Sequence, residues 1–260
     1  MGSVLLFPHW RLIASFVRRD LRARFLGSAL GLFWSVIHPA LLLGIFYFLF
    51  SLVLQVRWGL GGSDAYALYL FAGMLPWLAF QEAILRSAQS IPDNRILVKK
   101  TTFPAVTLPV YLALSSLALE LVGLGLLLGV LLFGRGLTLW LLLLPLLLGL
   151  QTAFTVGLAW IIASLTVFFR DVAQLVGVVL TLWLYGTPIV YPESMVPSGL
   201  RVFLWVNPFR YLVAAYRAVL LEGQAPDGFG LLILGACSVG SFLLGLRLFN
   251  RLAPQFSDLL

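Results

Sequence analysis

Apolar residues gather along this chain in about six long blocks, at 30–54, 66–87, 105–133, 137–169, 172–190 and 229–249. Most match or exceed the roughly 20 residues a helix needs to cross about 30 Å of hydrocarbon. None shows the alternating ten-residue pattern of a barrel strand, and only helices or closed barrels satisfy their backbone in lipid. The pattern predicts an all-α integral membrane protein with six transmembrane helices. The third and fourth blocks exceed the minimum and Pro145 lies inside the fourth, so tilt or a kink is expected there rather than extra crossings.

Residues 9–26 follow a different rhythm. Leu12, Ile13, Phe16, Val17, Leu21 and Phe25 recur at helical spacing, while Arg11, Ser15, Arg18, Arg19 and Arg22 take the opposite face. This describes a helix lying in the membrane interface. It lacks the order of a cleavable signal, a short basic region followed by an apolar run and a small-residue cleavage site. It reads either as a surface anchor or as a helix that also receives a cytoplasmic partner.

Composition agrees with a membrane protein, because charged residues make up 10% of the chain where a soluble domain carries about 25%. With the N-terminus inside, 12 of the 17 Lys and Arg residues fall on cytoplasmic segments, including Arg86, Arg95, Lys99, Lys100, Arg170, Arg247 and Arg251. Arg57, Arg135, Arg201, Arg210 and Arg217 fall outside. The positive-inside rule therefore places both termini in the cytoplasm. This bias and contact with anionic membrane lipids account for the net charge of +7, so no nucleic-acid partner is expected.

Chemistry-bearing motifs are sparse. There is no Gly-x-x-x-x-Gly-Lys-Ser/Thr phosphate loop and no dinucleotide fingerprint, so uphill transport would draw on an ion gradient or on a separate ATPase. Cys237 is single and reads as packing; His9 and His38 have no second ligand at metal-binding spacing. Glu82 and Glu120 fall within apolar blocks, where a carboxylate pairs with a neighbouring helix, lines a polar wall or relays protons.

Two connections stand out. Residues 91–104 are the most polar inner loop, with Pro92 and Asp93 as a helix-start signal, Lys99 and Lys100 suited to a helix C-terminus, and Pro104 restarting the chain. A short surface helix is expected, and Ile96, Leu97 and Val98 favour a protein contact. Residues 191–227 are long and too apolar for free water, which predicts re-entrant helices near 198–206 and 208–222 before the last span. Arg210 and Arg217, two turns apart, would share a face meeting phosphate or polymer, or anchor in lipid headgroups.

Asn94 to Pro104 with Leu108-Pro109, Phe169-Arg170-Asp171-Val172, Thr187-Pro188-Ile189-Val190-Tyr191-Pro192 and Asn207-Pro208 occur in that order. Together they resemble the membrane (permease) subunit of type 2 ABC exporters for bacterial surface polysaccharides, which include O-antigen, teichoic-acid and capsule permeases. The resemblance covers nearly the whole chain from Arg19 to Arg251. It implies a half-transporter that pairs with a second copy of itself and with two cytoplasmic ABC ATPase subunits. ATP and Mg would bind those partners, with no cofactor and no catalysis in this chain. Arg18, Arg19, Asp20, Asn94, Leu97, Lys99, Lys100 and Phe103 would couple to the ATPase. Phe46, Tyr47, Trp183 and Tyr185 would line a channel for a lipid-linked glycan on undecaprenyl diphosphate. Tyr191, Asn207, Arg210 and Arg217 would form the outer gate. A type 2 permease for a drug or lipid shares this architecture; a polytopic glycosyl- or acyltransferase would show clustered acids or histidines at one face.

Overall fold

A computed structural model of the protein describes residues 9–24, 30–55, 62–99, 103–134, 136 and 138–260. Among these residues the chain is helical, with no strand. Helix α1 (Trp10–Ala23) buries Ile13 and Phe16 against the bundle and leaves Arg11, Arg18, Arg19 and Arg22 exposed, the division its sequence periodicity predicts. Residues 25 and 26 of the expected 9–26 helix lie outside the described residues, as do Arg57, Lys100 and Arg135.

The bundle that follows comprises α2 (Trp34–Phe46, continued by wide π turns over Tyr47–Val53), α3 (Gly62–Asp93), the single turn α4 (Arg95–Val98) and α5 (Thr107–Gly134). A tight 3-10 segment, Leu139–Leu143, leads into α6 (Leu144–Phe168), followed by α7 (Val172–Tyr185). Two short helices, α8 (Arg201–Val206) and α9 (Pro208–Arg217, extended by wide turns over Ala218–Glu222), precede α10 (Gly228–Leu252) and α11 (Phe256–Leu259). Among the described residues, five helical segments are long and apolar enough to cross a bilayer: Trp34–Val53, Ala65–Asp93, Thr107–Gly134, Leu139–Phe168 and Gly228–Leu259. The chain is thus a multi-pass membrane protein.

Several boundaries differ from the sequence reading for physical reasons. The fifth block yields only the 14 residues of α7, about 21 Å at 1.5 Å per residue. Pro145 kinks nothing: it occupies the first turn of α6, where its missing N–H costs no bond. Pro92 does not start a helix. α3 runs through it to Asp93, its last turn pinned by the fully buried Ile91. The expected 91–104 surface helix shrinks to Arg95–Val98, set off by Asn94, whose Nδ2 donates to Ser90 O at 2.9 Å.

α3 is the axis of the fold, with Phe71, Ala72 and Trp77 fully enclosed by α5, α6, α7 and α9. Lipid tails are as apolar as leucine, so packing rather than water exclusion holds such helices together. The closest crossing is α6 on α10. A Cβ at Gly245 would stand 2.2 Å from Gly157 O, and one at Gly157 would stand 2.3 Å from the Ser241 carbonyl carbon. Only hydrogen fits at both positions.

Candidate coupling and exit sites

On the α1 side, four ionic residues form a clasp between α1 and the bundle. Asp20 and Arg24 are four apart on α1, and Glu82 and Arg86 are four apart on α3. Arg86 donates to both Asp20 oxygens, with Nη1 at 3.0 Å from Oδ2. Arg24 donates from Nε to Asp20 Oδ2 at 3.0 Å and from Nη1 to Glu82 Oε1. Burial alone would raise the Asp20 pKa, but the Arg86 and Arg24 guanidiniums outweigh it and hold the carboxyl below its usual 3.8. Beside the clasp, Phe16 meets Phe103 edge-on at 6.1 Å and Tyr111 at 5.2 Å, and Arg19 lies over the Phe16 ring at 4.7 Å. The chain on either side of α4 is therefore keyed to α1. Leu97 is half-buried, Lys99 is exposed, and Ile96 stands 73% exposed at the tip of α4.

At the opposite end, Asn207 ties two Pro-containing motifs together. Its Oδ1 accepts from Phe209 N at 3.0 Å, capping α9, and from Trp183 Nε1 at 2.9 Å. Its Nδ2 donates to Thr187 Oγ1 at 2.8 Å and Gly186 O at 3.2 Å. Tyr66 Oη donates to Val190 O at 2.7 Å, and Tyr191 Oη donates to Tyr185 O at 2.7 Å. The segment after α7 is thereby fixed by side chains where regular helical bonds end.

Arg210 and Arg217 do not form a common basic patch. Arg210 forks onto Glu193 at 2.6 and 2.7 Å and lies near the Trp205 and Tyr211 rings. Arg217 is buried: its Nη1 donates to Pro188 O and its Nη2 to Ile189 O, both at 2.7 Å, and its Nε to Tyr69 O at 3.3 Å. The guanidinium sits 3.4 Å over the Tyr69 ring, in space left by Gly73, where a Cβ would fall 2.7 Å from Nη2. The reason is local. After Thr187-Pro188 the backbone turns without helical bonds, and the carbonyls it frees need a buried donor.

A third polar group lies between these ends. Glu120 of α5, Gln151 of α6 and Tyr216 of α9 are all buried. Gln151 Nε2 donates to Glu120 Oε2 at 2.6 Å and approaches Pro76 O at 3.3 Å; Tyr216 Oη lies 2.9 Å from Glu120 Oε1 and 2.6 Å from Gln151 Oε1. Glu120 pairs with neighbouring helices, one of the roles its position allowed.

A sequence profile for the ABC-2 type transporter matches residues 11–221. The chain belongs to the ABC-2 type transporter family. It is 31% identical over 256 residues to the O-antigen export system permease protein RfbA of Myxococcus xanthus, an alignment covering 97% of this chain and 96% of that protein. Two proteins of the same name from Klebsiella pneumoniae are 31% and 30% identical over 257 residues, each spanning 96% of this chain and 95% of the relative. Permease subunits of this kind are transport components rather than enzymes.

In this ABC-2 permease the residues expected to couple gather at one end: Arg18, Arg19 and Asp20 on α1, with Asn94, Leu97, Lys99 and Phe103 around α4. Of the aromatics assigned to a channel, Trp183 is half-buried, packed edge-on against Phe80 at 5.4 Å and Trp77 at 6.2 Å. Phe46 is half-buried against Phe50, whereas Tyr47 and Tyr185 are exposed. Sequence reading missed Arg24 and Arg86 as partners of Asp20 and Glu82. The signal was present: both pairs place an acid four residues before a base, the favourable order on a helix. Gln151 and Tyr216 carried no comparable signal.

Proposed function

We propose that this permease is the membrane subunit of an ATP-driven exporter that carries a lipid-linked, O-antigen-like polysaccharide across the cytoplasmic membrane. Near-full-length similarity to three O-antigen export permeases carries the reading. Two copies pair with two ABC ATPase subunits that bind ATP and Mg, and an undecaprenyl-diphosphate-linked glycan passes between the copies. α7 and the pinned segment 186–190 complete a sixth crossing, α8 and α9 re-enter from the outer side, and both termini face the cytoplasm. The exposed apolar stripe of α7, Leu175, Val178, Val179 and Leu182, continues to Tyr185 and faces the second copy and the transport path.

Coupling follows from stiffness. ATPase closure acts on α1 and α4. The clasp and the Phe16–Phe103–Tyr111 contacts transmit that push to α3 and α5, because packed elements shift as bodies rather than deform continuously. α3 reaches the outer segment through Arg217 and the Tyr66–Val190 bond. Co-purification with a co-expressed ABC ATPase, and ATP turnover with purified lipid-linked glycan, test the proposal. Stable association with glycan-stimulated turnover supports it; a permease that binds no ATPase overturns it.

A further inference from the structure

α2 packs loosely on the bundle, and between it, α3 and α5 lies a cavity of about 570 Å³. Along α3 its wall runs from Leu85 to Leu75, about 15 Å at 1.5 Å per residue. That is half of a bilayer core about 30 Å thick. The cavity starts at the interface where α1 lies and ends near mid-depth, so it serves one leaflet. Leu42, Leu78 and Leu119 give it apolar walls, while Arg24, Trp34, His38 and Glu82 rim the interfacial end.

Two donors on this surface are unused among the described residues. Arg24 Nη2 is buried without a hydrogen-bond partner, although Nε and Nη1 are engaged by Asp20 and Glu82. Ser116, 1% exposed, lines the cavity with its Oγ unpartnered. Thr152, Thr155, Ser164, Thr166 and Thr181 donate to the carbonyl four residues back; Ser116 does not, nor do the buried Ser87, Ser115 and Ser238, which lie outside the cavity wall. Buried donors are seldom left empty, because water or a ligand normally fills them. The volume falls within the range of ligand sites, which combine apolar walls with a few placed polar groups.

We propose that this cavity holds a single lipid with an anionic phosphate head, its chain between α2, α3 and α5 and its phosphate on Arg24 Nη2. The occupant belongs to the leaflet on which α1 rests and supplies packing that α2 lacks from protein. The chemistry is shared by a bilayer phospholipid and a polyprenyl phosphate. The site stands on membrane crossing and does not rest on the identity of the exported substrate.

The test uses the full-length permease in nanodiscs containing phosphatidylglycerol with a diazirine in its tail, followed by illumination and mapping of adducts. At least threefold more adduct is expected on peptides bearing Leu78 and Leu119 than on the outward α10 residues Leu232 and Val239. Leu119→Trp plugs the cavity without touching the ions, and Arg24→Gln removes the phosphate donor; each should abolish the excess. A diazirine-tailed diacylglycerol, lacking phosphate, should show none. Competition by unlabelled phosphatidylglycerol or by undecaprenyl phosphate identifies the source, and displacement by either supports the site. Even labelling across the helices, an excess that survives Leu119→Trp, equal labelling by diacylglycerol, or displacement by neither competitor overturns it. Wild-type labelling needs no glycan, so loss of the exporter reading and loss of this site register separately.

Discussion

Arg217→Met removes a buried guanidinium on α9 that holds the segment after α7 onto α3. Three hydrogen bonds are lost, to Pro188 O, Ile189 O and Tyr69 O, each worth about 1.5–3 kcal/mol when the donor is charged. The contact with the Tyr69 ring adds about 2 kcal/mol at a desolvated site. Against this, the variant no longer keeps a charge out of water, which offsets part of the gross loss. Three buried carbonyls left without their donor cost about 1–3 kcal/mol each, so after that offset the net lies at about 3–5 kcal/mol. At about 2–4 °C per kcal/mol for a chain of this size, the thermal midpoint should fall by roughly 10 °C. Arg217→Lys keeps the charge but cannot fork onto two carbonyls, so about half of that loss is expected. Scanning fluorimetry of the purified permease reads both. If Arg217 instead met the polymer at the exit, the variants would unfold within about 2 °C of wild type and differ only in glycan-dependent turnover, which would refute the structural role.

Other perturbations separate the remaining parts of the account. Gly245→Leu drives a side chain into Gly157 and should abolish the folded permease, read as loss of the monodisperse peak in size-exclusion chromatography. Asp20 has a folded pKa below its ordinary value, so its contribution is complete above about pH 4 and disappears as pH falls through the folded value. A spin label at position 18 should therefore stay immobile from pH 8 to about pH 4 and loosen below, whereas Asp20→Asn should loosen it already at pH 7. Ile96→Asp should reduce ATPase co-purification at least tenfold with an unchanged thermal midpoint, because Ile96 makes little contact within the chain. Tyr216→Phe leaves Gln151 Oε1 without its donor and should cost about 1–3 kcal/mol.

Among the described residues, five of the six apolar blocks are helices long enough to span, readable because lipid imposes one rule on long segments; the 3.6-residue period likewise exposes α1 as a one-sided helix. Irregular backbone was harder. Pro92 reads locally as a helix start, yet Ile91 is fully buried in a hydrophobic cluster with residues of α5, α6, α10 and α11, and that tertiary packing carries α3 past the proline. Pro145 reads as a kink only when its block is taken as one helix. The role of Arg217 was hidden because its partners are backbone carbonyls near 188 and 189, which leave no charge pattern to find. Trp183 shows the same limit: it reads as a channel residue in the sequence, and only the fold packs it against Trp77, Phe80 and Phe209. The Asp20–Arg24 and Glu82–Arg86 spacings were legible within each helix, but that the pairs face each other is a property of packing alone.

The most direct test of the exporter reading is glycan translocation in proteoliposomes containing the permease and its ATPase. Purified undecaprenyl-diphosphate-linked polysaccharide is supplied on the side carrying the ATPase, and the opposite side is probed with a glycosidase. ATP-dependent appearance of cleavable glycan there, absent with an ATPase that cannot hydrolyse ATP, is the expected result. An assembled complex that hydrolyses ATP while moving no glycan would contradict it.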